Sequence, residues 1–481
     1  MTGMDMAVAG EGPHSCDLLI RNAILLPMGE TREILLGGYV AVRGHLIADV
    51  GLEGETGTGW TAPRVIDAQG AIVHPGFIEA HLHVNAQTCR GYFRGDASRG
   101  AMGGPNYADW KAALEPEDEA AATRLASVEL LRHGFTCFVE PGSAFEPDAV
   151  VEAAGAVGIR CSVAEPYLWD DTAIMQVIGG LASDALFARV PPTRERCFSA
   201  LGGQLFRNRD ANGIAHGHVA LYGEGTASDD LLRAAKATAD RGGVILNTHL
   251  GFDAGVVEAM ERALGRSRFA HLSGLGVLGP NATFVHMNIL RDDEVGIIHE
   301  TRPSIVWCPQ AYVSRGLPLI APTRLPVLKR DGIAVALGTD SARQSSVGDA
   351  MFLAVQLSAE AGAGLAAEEV LEMLTLHGAR AAGLDHMLGR LAPGFRADIV
   401  IRGRGIVELG PCIDPAHQLV AVGHGATADT VVVNGRIVLR GGRPTQVDEF
   451  SVIDDAQRSA CSVADRLGLR APGRWPRVVA R

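Results

Sequence analysis

His81-Leu82-His83 closes an apolar run that starts at Phe77. In an extended strand, residues i and i+2 point the same way, about 6.6 Å apart along the backbone, so both imidazoles can aim at one point. Three more chemistry-bearing groups close later apolar runs: His249 after 244–248, His286 after 283–285 and Asp340 after 336–339. Three imidazoles and one carboxylate make a ligand set for zinc or another divalent transition metal that leaves a position for water. Such an ion can bring the pKa of that water to about 7 and so supply a nucleophile at neutral pH. A second pair, His216-Gly217-His218, precedes its apolar run instead of ending it and is assigned a structural role.

These groups lie far apart in the chain, so a fold must bring them together. Eight short apolar runs, at 77–83, 135–140, 159–165, 219–222, 244–249, 283–286, 304–307 and 334–339, alternate with helical stretches such as 116–133 and 228–241. Eight strands with intervening helices in about 310 residues predict an α/β chain with a (β/α)8 TIM barrel, whose chemistry sits at the C-terminal strand ends. The rival, an open doubly wound sheet, lacks a GxGxxG after its first strand. Long connections at 85–115 and 166–217 follow the first and third strands, where loops line an active site. Both ends of the chain read as short strands, with hairpins near Arg43-Gly44 and Asn434-Gly435, the latter a strong turn signal. They predict a small β-sandwich-like domain formed by both termini, since a lone hairpin is marginally stable. The expected division is 15–74 and 393–445 for the two halves of the β domain, 75–392 for the barrel, and 446–481 for a C-terminal extension.

The 481 residues carry 43 lysines and arginines against 55 acids, a net charge of −12. That sign argues against nucleic acid and anionic membranes, which need a basic stripe. A small-molecule substrate is the expected partner. Apolar residues make up 47% and charged residues 20%, as in globular chains. No apolar run reaches the length of a membrane span, and the first residues do not read as a secretory signal. Eight scattered cysteines without a CxxC pair predict free thiols in a cytoplasmic protein. Only Lys111, Lys236 and Lys329 are lysines.

The segment Val73-His-Pro-Gly-Phe-Ile-Glu-Ala-His-Leu-His83 resembles the PGxxDxHxH opening of the amidohydrolase superfamily of metal-dependent hydrolases. Asn247-Thr-His-Leu250, Val285-His-Met-Asn288 and Leu337-Gly-Thr-Asp-Ser341 are similar to its later strand ends, and Gly389-Arg-Leu-Ala-Pro-Gly-Phe-Arg-Ala-Asp-Ile399 to its closing segment. The nearest branch holds cytosine deaminase, nucleoside and pterin deaminases and triazine chlorohydrolases. The resemblance implies one divalent metal per chain held by His81, His83, His249 and Asp340, with His286 close by. Zn2+ is the first choice and Fe2+, Co2+ or Mn2+ the alternatives. It also implies a homo-oligomer. Binuclear relatives use a carboxylated lysine late on the fourth strand, and 219–225 contains no lysine. Deaminases of this branch carry glutamate three residues after the fifth-strand histidine, where this chain has Phe252. Asp253, Glu140 and Glu224 are candidate replacements, each ranked below Asp340.

Asp340 is therefore expected to move the proton of the attacking water to the leaving nitrogen, and His286 to orient the substrate oxygen. Gln87, Tyr92, Trp110, Trp169, Phe252 and Trp307 are the expected substrate contacts. Arg90 and Arg94 are the main cations foreseen near the mouth, so a small neutral substrate is expected. Because of Phe252, the leading expectation is hydrolysis of a non-peptide C–N bond of amide, carbamate or urea type. The alternative is an aromatic heterocycle deaminase or chlorohydrolase. A third reading, a catalytically silent binding or scaffold protein, is weakened by the full ligand set.

Overall fold

Two parallel sheets carry the strand ends just described. The computed structural model describes residues 14–54, 57–93, 104–176, 182–341, 345–470 and 475. Strands Phe77–Glu79, Phe135–Val139, Arg160–Val163 and Ala215–Gly217 form one sheet in that order. Strands Val219–Leu221, Leu246–Leu250, Ala282–His286, Ser304–Trp307 and Ala334–Leu337 form the other. All five residues of Phe135–Val139 are buried, as expected of a parallel strand covered on both faces.

Backbone hydrogen bonds join the two sheets at both seams. Only His218 separates Ala215–Gly217 from Val219–Leu221, and its N–H donates to the Val163 carbonyl at 3.1 Å. At the opposite seam the Asp340 N–H donates to the His81 carbonyl at 3.0 Å, and the His83 N–H to the Asp340 carbonyl at 2.9 Å. The last strand thus reaches back to the first at the residues that carry chemistry.

Helices run between the strands, and their starts follow local sequence rules. Pro116–Arg132 begins with proline, and Asp229–Gly242 is capped by the Ser228 hydroxyl, which accepts from the Leu231 N–H at 3.3 Å; both devices satisfy or remove donors with no partner inside the helix. The 166–217 connection contains two short helices, Asp184–Arg189 and Arg194–Ala200. Among the described residues, no helix is long and apolar enough to cross a membrane.

The two ends of the chain meet in one nine-stranded sheet. Its seam is Ile72–Pro75, which pairs parallel with Leu18–Leu25 and antiparallel with Ile399–Arg402. Thr430–Val433 and Arg436–Arg440 form the hairpin expected at Asn434-Gly435, whose φ angles of 52° and 78° are those of a two-residue turn that favours Asn-Gly. Beneath this sheet the fully buried Arg160 donates to both Asp398 oxygens, at 3.3 and 3.1 Å, and to the Gly213 carbonyl at 3.1 Å. His216 stands beside it, 3.3 Å from the guanidinium.

Gly76 joins the terminal sheet to the first parallel strand. A Cβ there would lie 1.9 Å from Thr136 Oγ1 and 2.4 Å from its Cγ2, so only glycine lets the two strands approach. Gly76→Ala should destabilise the fold by about 1–3 kcal/mol through overpacking. Urea titration of the variant checks this, and an unchanged midpoint would contradict it.

Candidate metal centre and active-site cavity

His81 and His83 follow the first strand, Phe77–Glu79, and their rings converge, with centroids 4.9 Å apart. His249 and His286 come from the neighbouring strands Leu246–Leu250 and Ala282–His286. His81 Nε2 and His249 Nε2 are 3.1 Å apart, and His249 Nε2 and His83 Nε2 3.3 Å. Asp340 Oδ1 is 3.2 Å from His83 Nε2 and 3.8 Å from His81 Nε2. Four ligands held at ~2.0–2.1 Å around a tetrahedral ion lie about 3.3 Å from one another. Donor atoms at these separations therefore fit one divalent cation. A second grouping, His81, His249 and His286, shares two of these imidazoles.

Two imidazoles are turned inward by what stands behind them. His83 Nδ1 is 2.7 Å from Ser143 Oγ, and that hydroxyl donates to Glu140 Oε1 at 2.5 Å. The hydroxyl proton being spent on Glu140, His83 must donate from Nδ1, which leaves Nε2 as a bare lone pair. Glu140 also accepts from the N–H groups of Gly142, Ser143 and Ala144. His249 Nδ1 donates to the Tyr222 carbonyl at 2.5 Å, with the same effect on its Nε2.

Burial keeps these rings neutral. It pulls His83 down to about 4 and His286 to about 3, and together with neighbouring imidazoles it holds His249 well below the usual histidine range. At Asp340 burial acts upward, but the neighbouring imidazoles of His81, His83 and His286 outweigh it and hold the carboxyl well below its ordinary value. The backbone is strained at the same places. His286 and Asp340 have φ of 79° and 60°, a left-handed conformation that costs non-glycine residues about 1–3 kcal/mol and clusters at functional sites.

A cavity opens over the cluster. It is lined by His83, His249, His286 and Asp340 and walled by Tyr107, Tyr222 and Phe252, with Lys111 and Arg315 also at its surface. Of the expected substrate contacts, Phe252 lies on this wall. Trp307 is fully buried and shares a face with Ile305 in the main apolar cluster, whereas Val306 and Cys308 face the other way. A strand-end position does not by itself decide which face a side chain takes. Trp169 meets Tyr222 edge to face, ring centroids 4.9 Å apart, and Trp110 packs with Phe93 and Tyr107 in a separate cluster beside Tyr92. Gln87 is buried on the turn Val84–Cys89, and its amide has no hydrogen-bond partner among the described residues.

The candidate replacement acids are engaged elsewhere. Asp253 caps the helix Ala254–Leu264 by accepting from Gly255 and Val256. Glu140 stands behind Ser143, and Glu224 is bound by Arg268 at 2.7 Å, which also binds Glu294 at 2.8 Å. Arg90 pairs with Glu129 at 2.7 Å, and Arg94 lies outside the described residues. Lys111, Arg315, Tyr222 and Ser143 escaped sequence reasoning. The one available signal was rarity, since Lys111 is one of three lysines.

The chain matches the amidohydrolase family over residues 72–438. It is 27% identical to the 5'-deoxyadenosine deaminase of Methanosarcina mazei, across 94% of this chain and 99% of that protein. It is 30% identical to the 5-methylthioadenosine/S-adenosylhomocysteine deaminase of Symbiobacterium thermophilum, across 88% and 93%. Among solved structures, it is similar to an adenosine deaminase from Xanthomonas campestris with bound zinc (TM-score 0.80, 24% identity, 94% of this chain and 100% of that one). It is also similar to a zinc complex of atrazine chlorohydrolase from Arthrobacter aurescens (TM-score 0.77, 21% identity, 92% and 100%).

Ser143→Ala removes the acceptor behind His83 without touching a ligand atom. Loss of such a supporting group typically lowers metal affinity 10–100-fold. Competition with a chelator should show a loss of that size, and an affinity equal to the parent's would contradict the role given to Ser143.

Proposed function

Since the chain belongs to the amidohydrolase family, we propose that it hydrolyses the exocyclic C–N bond of an amino-substituted aromatic heterocycle, releasing ammonia. The observation that carries this reading is the convergence of His81, His83, His249 and Asp340, with His286 alongside, at the floor of an aromatic-walled cavity. The names of the relatives support a heterocycle over the amide, carbamate or urea bond that Phe252 first favoured. The underlying architecture is read as a (β/α)8 barrel, closed through the Leu82–Asp340 bridge, with boundaries near 75 and 392. The strands at 15–74 and 393–445 are read as its sandwich-like companion, and the helix Glu449–Arg466 as part of an extension at 446–481.

The donor set suits zinc, held by His81, His83, His249 and Asp340. When bound, a divalent ion supplies an acidified water and a Lewis-acid contact. Asp340, ionised and turned toward the imidazoles, would accept a proton from the attacking water and pass it to the departing amine. His286 stays neutral at working pH, and its ring N–H can hydrogen-bond the heterocycle and fix its angle of approach. Phe252 and Tyr222 offer ring faces to the substrate and exclude water. With Phe252 at the usual acid's position and the other acids engaged, Asp340 serves both proton transfers. The free state of all eight cysteines supports a cytoplasmic location, and the exposed pair Leu319 and Ile320 a homo-oligomer.

The test is ammonia release from adenosine, 5'-deoxyadenosine, cytosine and pterin by the metal-loaded protein, beside amide and carbamate substrates. Asp340→Asn should lower kcat/KM by about 10³-fold or more. Carboxylate and amine products without ammonia would restore the amide reading, and near-parental turnover by the variant would remove Asp340 from its role.

A further inference from the structure

We propose that the Tyr222 hydroxyl donates a hydrogen bond to a ring nitrogen next to the amine-bearing carbon of the substrate, and that this bond selects heterocycles with an acceptor nitrogen at that position. This rests on the heterocycle reading and deepens it.

Addition of an oxygen to the amine-bearing carbon pushes ring electrons onto the adjacent nitrogen, so a donor aimed there stabilises the developing charge. Phe252, where deaminases of this branch carry glutamate, offers no polar hydrogen. Asp253, Glu140 and Glu224 are engaged elsewhere. Tyr222 follows the strand Val219–Leu221, which pairs with the strand that bears His249, and it lines the same cavity as the imidazoles. Its carbonyl accepts from His249 Nδ1 at 2.5 Å, so the residue is anchored to a candidate ligand. In strand order His249 stands between Tyr222 and His286, with ring centroids 5.9 and 5.4 Å away. Two neutral donors thus flank the candidate metal ligand, and a heterocycle seated over it meets His286 on one side and Tyr222 on the other.

The neighbours of Tyr222 fix both its ring and the direction of its hydrogen. Tyr167 stacks on the ring at 5.2 Å, and Trp169 meets it edge to face at 4.9 Å. Lys111 Nζ donates to the hydroxyl oxygen at 3.3 Å. An ammonium has no acceptor site, so the phenol must send its own hydrogen elsewhere, whatever else Lys111 touches. Among the described residues no group accepts that hydrogen. Burial is the larger cause that raises this phenol, and the Asp340 carboxylate is close enough to be the next, which sets the hydroxyl toward the reacting end of the cavity. A tyrosine carries a polar handle at the tip of an apolar ring: here the ring closes the cavity and the tip meets the edge of the substrate.

Two inert pairs test the idea with the metal-loaded protein. Each carries a methyl group, which water cannot expel, in place of the amine, and one member of each has C–H in place of the nitrogen. The pairs are 6-methylpurine riboside against its 1-deaza analogue, and 4-methylpyrimidin-2-one against 4-methylpyridin-2-one. Calorimetry should show at least about fivefold tighter binding of the nitrogen member of one pair, the size of one net hydrogen bond. Tyr222→Phe keeps the ring and the carbonyl behind His249, so its metal affinity should match the parent's while the ratio falls to within about twofold of unity. A residue that only packs the wall or holds His249 would leave that ratio unmoved. A smaller ratio in the parent, which needs no variant, overturns the proposal, as does a ratio that survives in the folded variant. If ammonia is nevertheless released from adenosine or cytosine, only the role of Tyr222 falls. If no heterocycle releases ammonia and neither pair binds, the heterocycle reading falls and the hydrogen bond with it.

Discussion

The fold depends on one close meeting of side chains: His249 Nε2 lies 3.1 Å from His81 Nε2 and 3.3 Å from His83 Nε2. That spacing suits a shared cation, and two of the three rings are oriented by groups outside the cluster. Ser143 and the Tyr222 carbonyl turn two rings inward, while burial keeps His83, His249 and His286 uncharged. The seam bonds between Asp340 and the first strand fix the carboxylate opposite them. The left-handed backbone at His286 and Asp340 belongs to the same constraint: local conformational energy is given up so that two side chains point at a shared spot.

Around this fixed point the walls are built differently. The candidate ligands lie at or just beyond strand ends, whereas Lys111, Phe252 and Arg315 sit on connections. Connections change without disturbing the sheet, so the reaction centre and the substrate preference can vary independently.

The strands were legible because parallel strands covered on both faces must be apolar throughout, and their polar ends then stand out. His81 and His83 could be paired from a period of two, and Asn434-Gly435 announced its hairpin because few other residues accept two successive positive φ angles. Three kinds of feature stayed hidden. The face taken by Trp307 depends on one residue of register, which periodicity in a four-residue strand does not settle. The Ser143–Glu140 support behind His83 joins residues whose neighbourhood exists only after the second strand is placed. Lys111 and Arg315 lie on connections whose path is set by tertiary packing, and the helices within 166–217 have too few residues to impose a recognisable pattern.

The strand Ile72–Pro75 has one edge against Leu18–Leu25 and the other against Ile399–Arg402, and it runs through Gly76 straight into the strand that bears His81 and His83. During synthesis its second neighbour emerges more than three hundred residues after the first. The root of the ligand-bearing strand is therefore clamped on one side only until the C-terminal strands arrive. A nascent chain can form its helices and much of its core early, but the tight convergence of imidazoles acquires its full mechanical footing only when the two ends of the polypeptide have found each other.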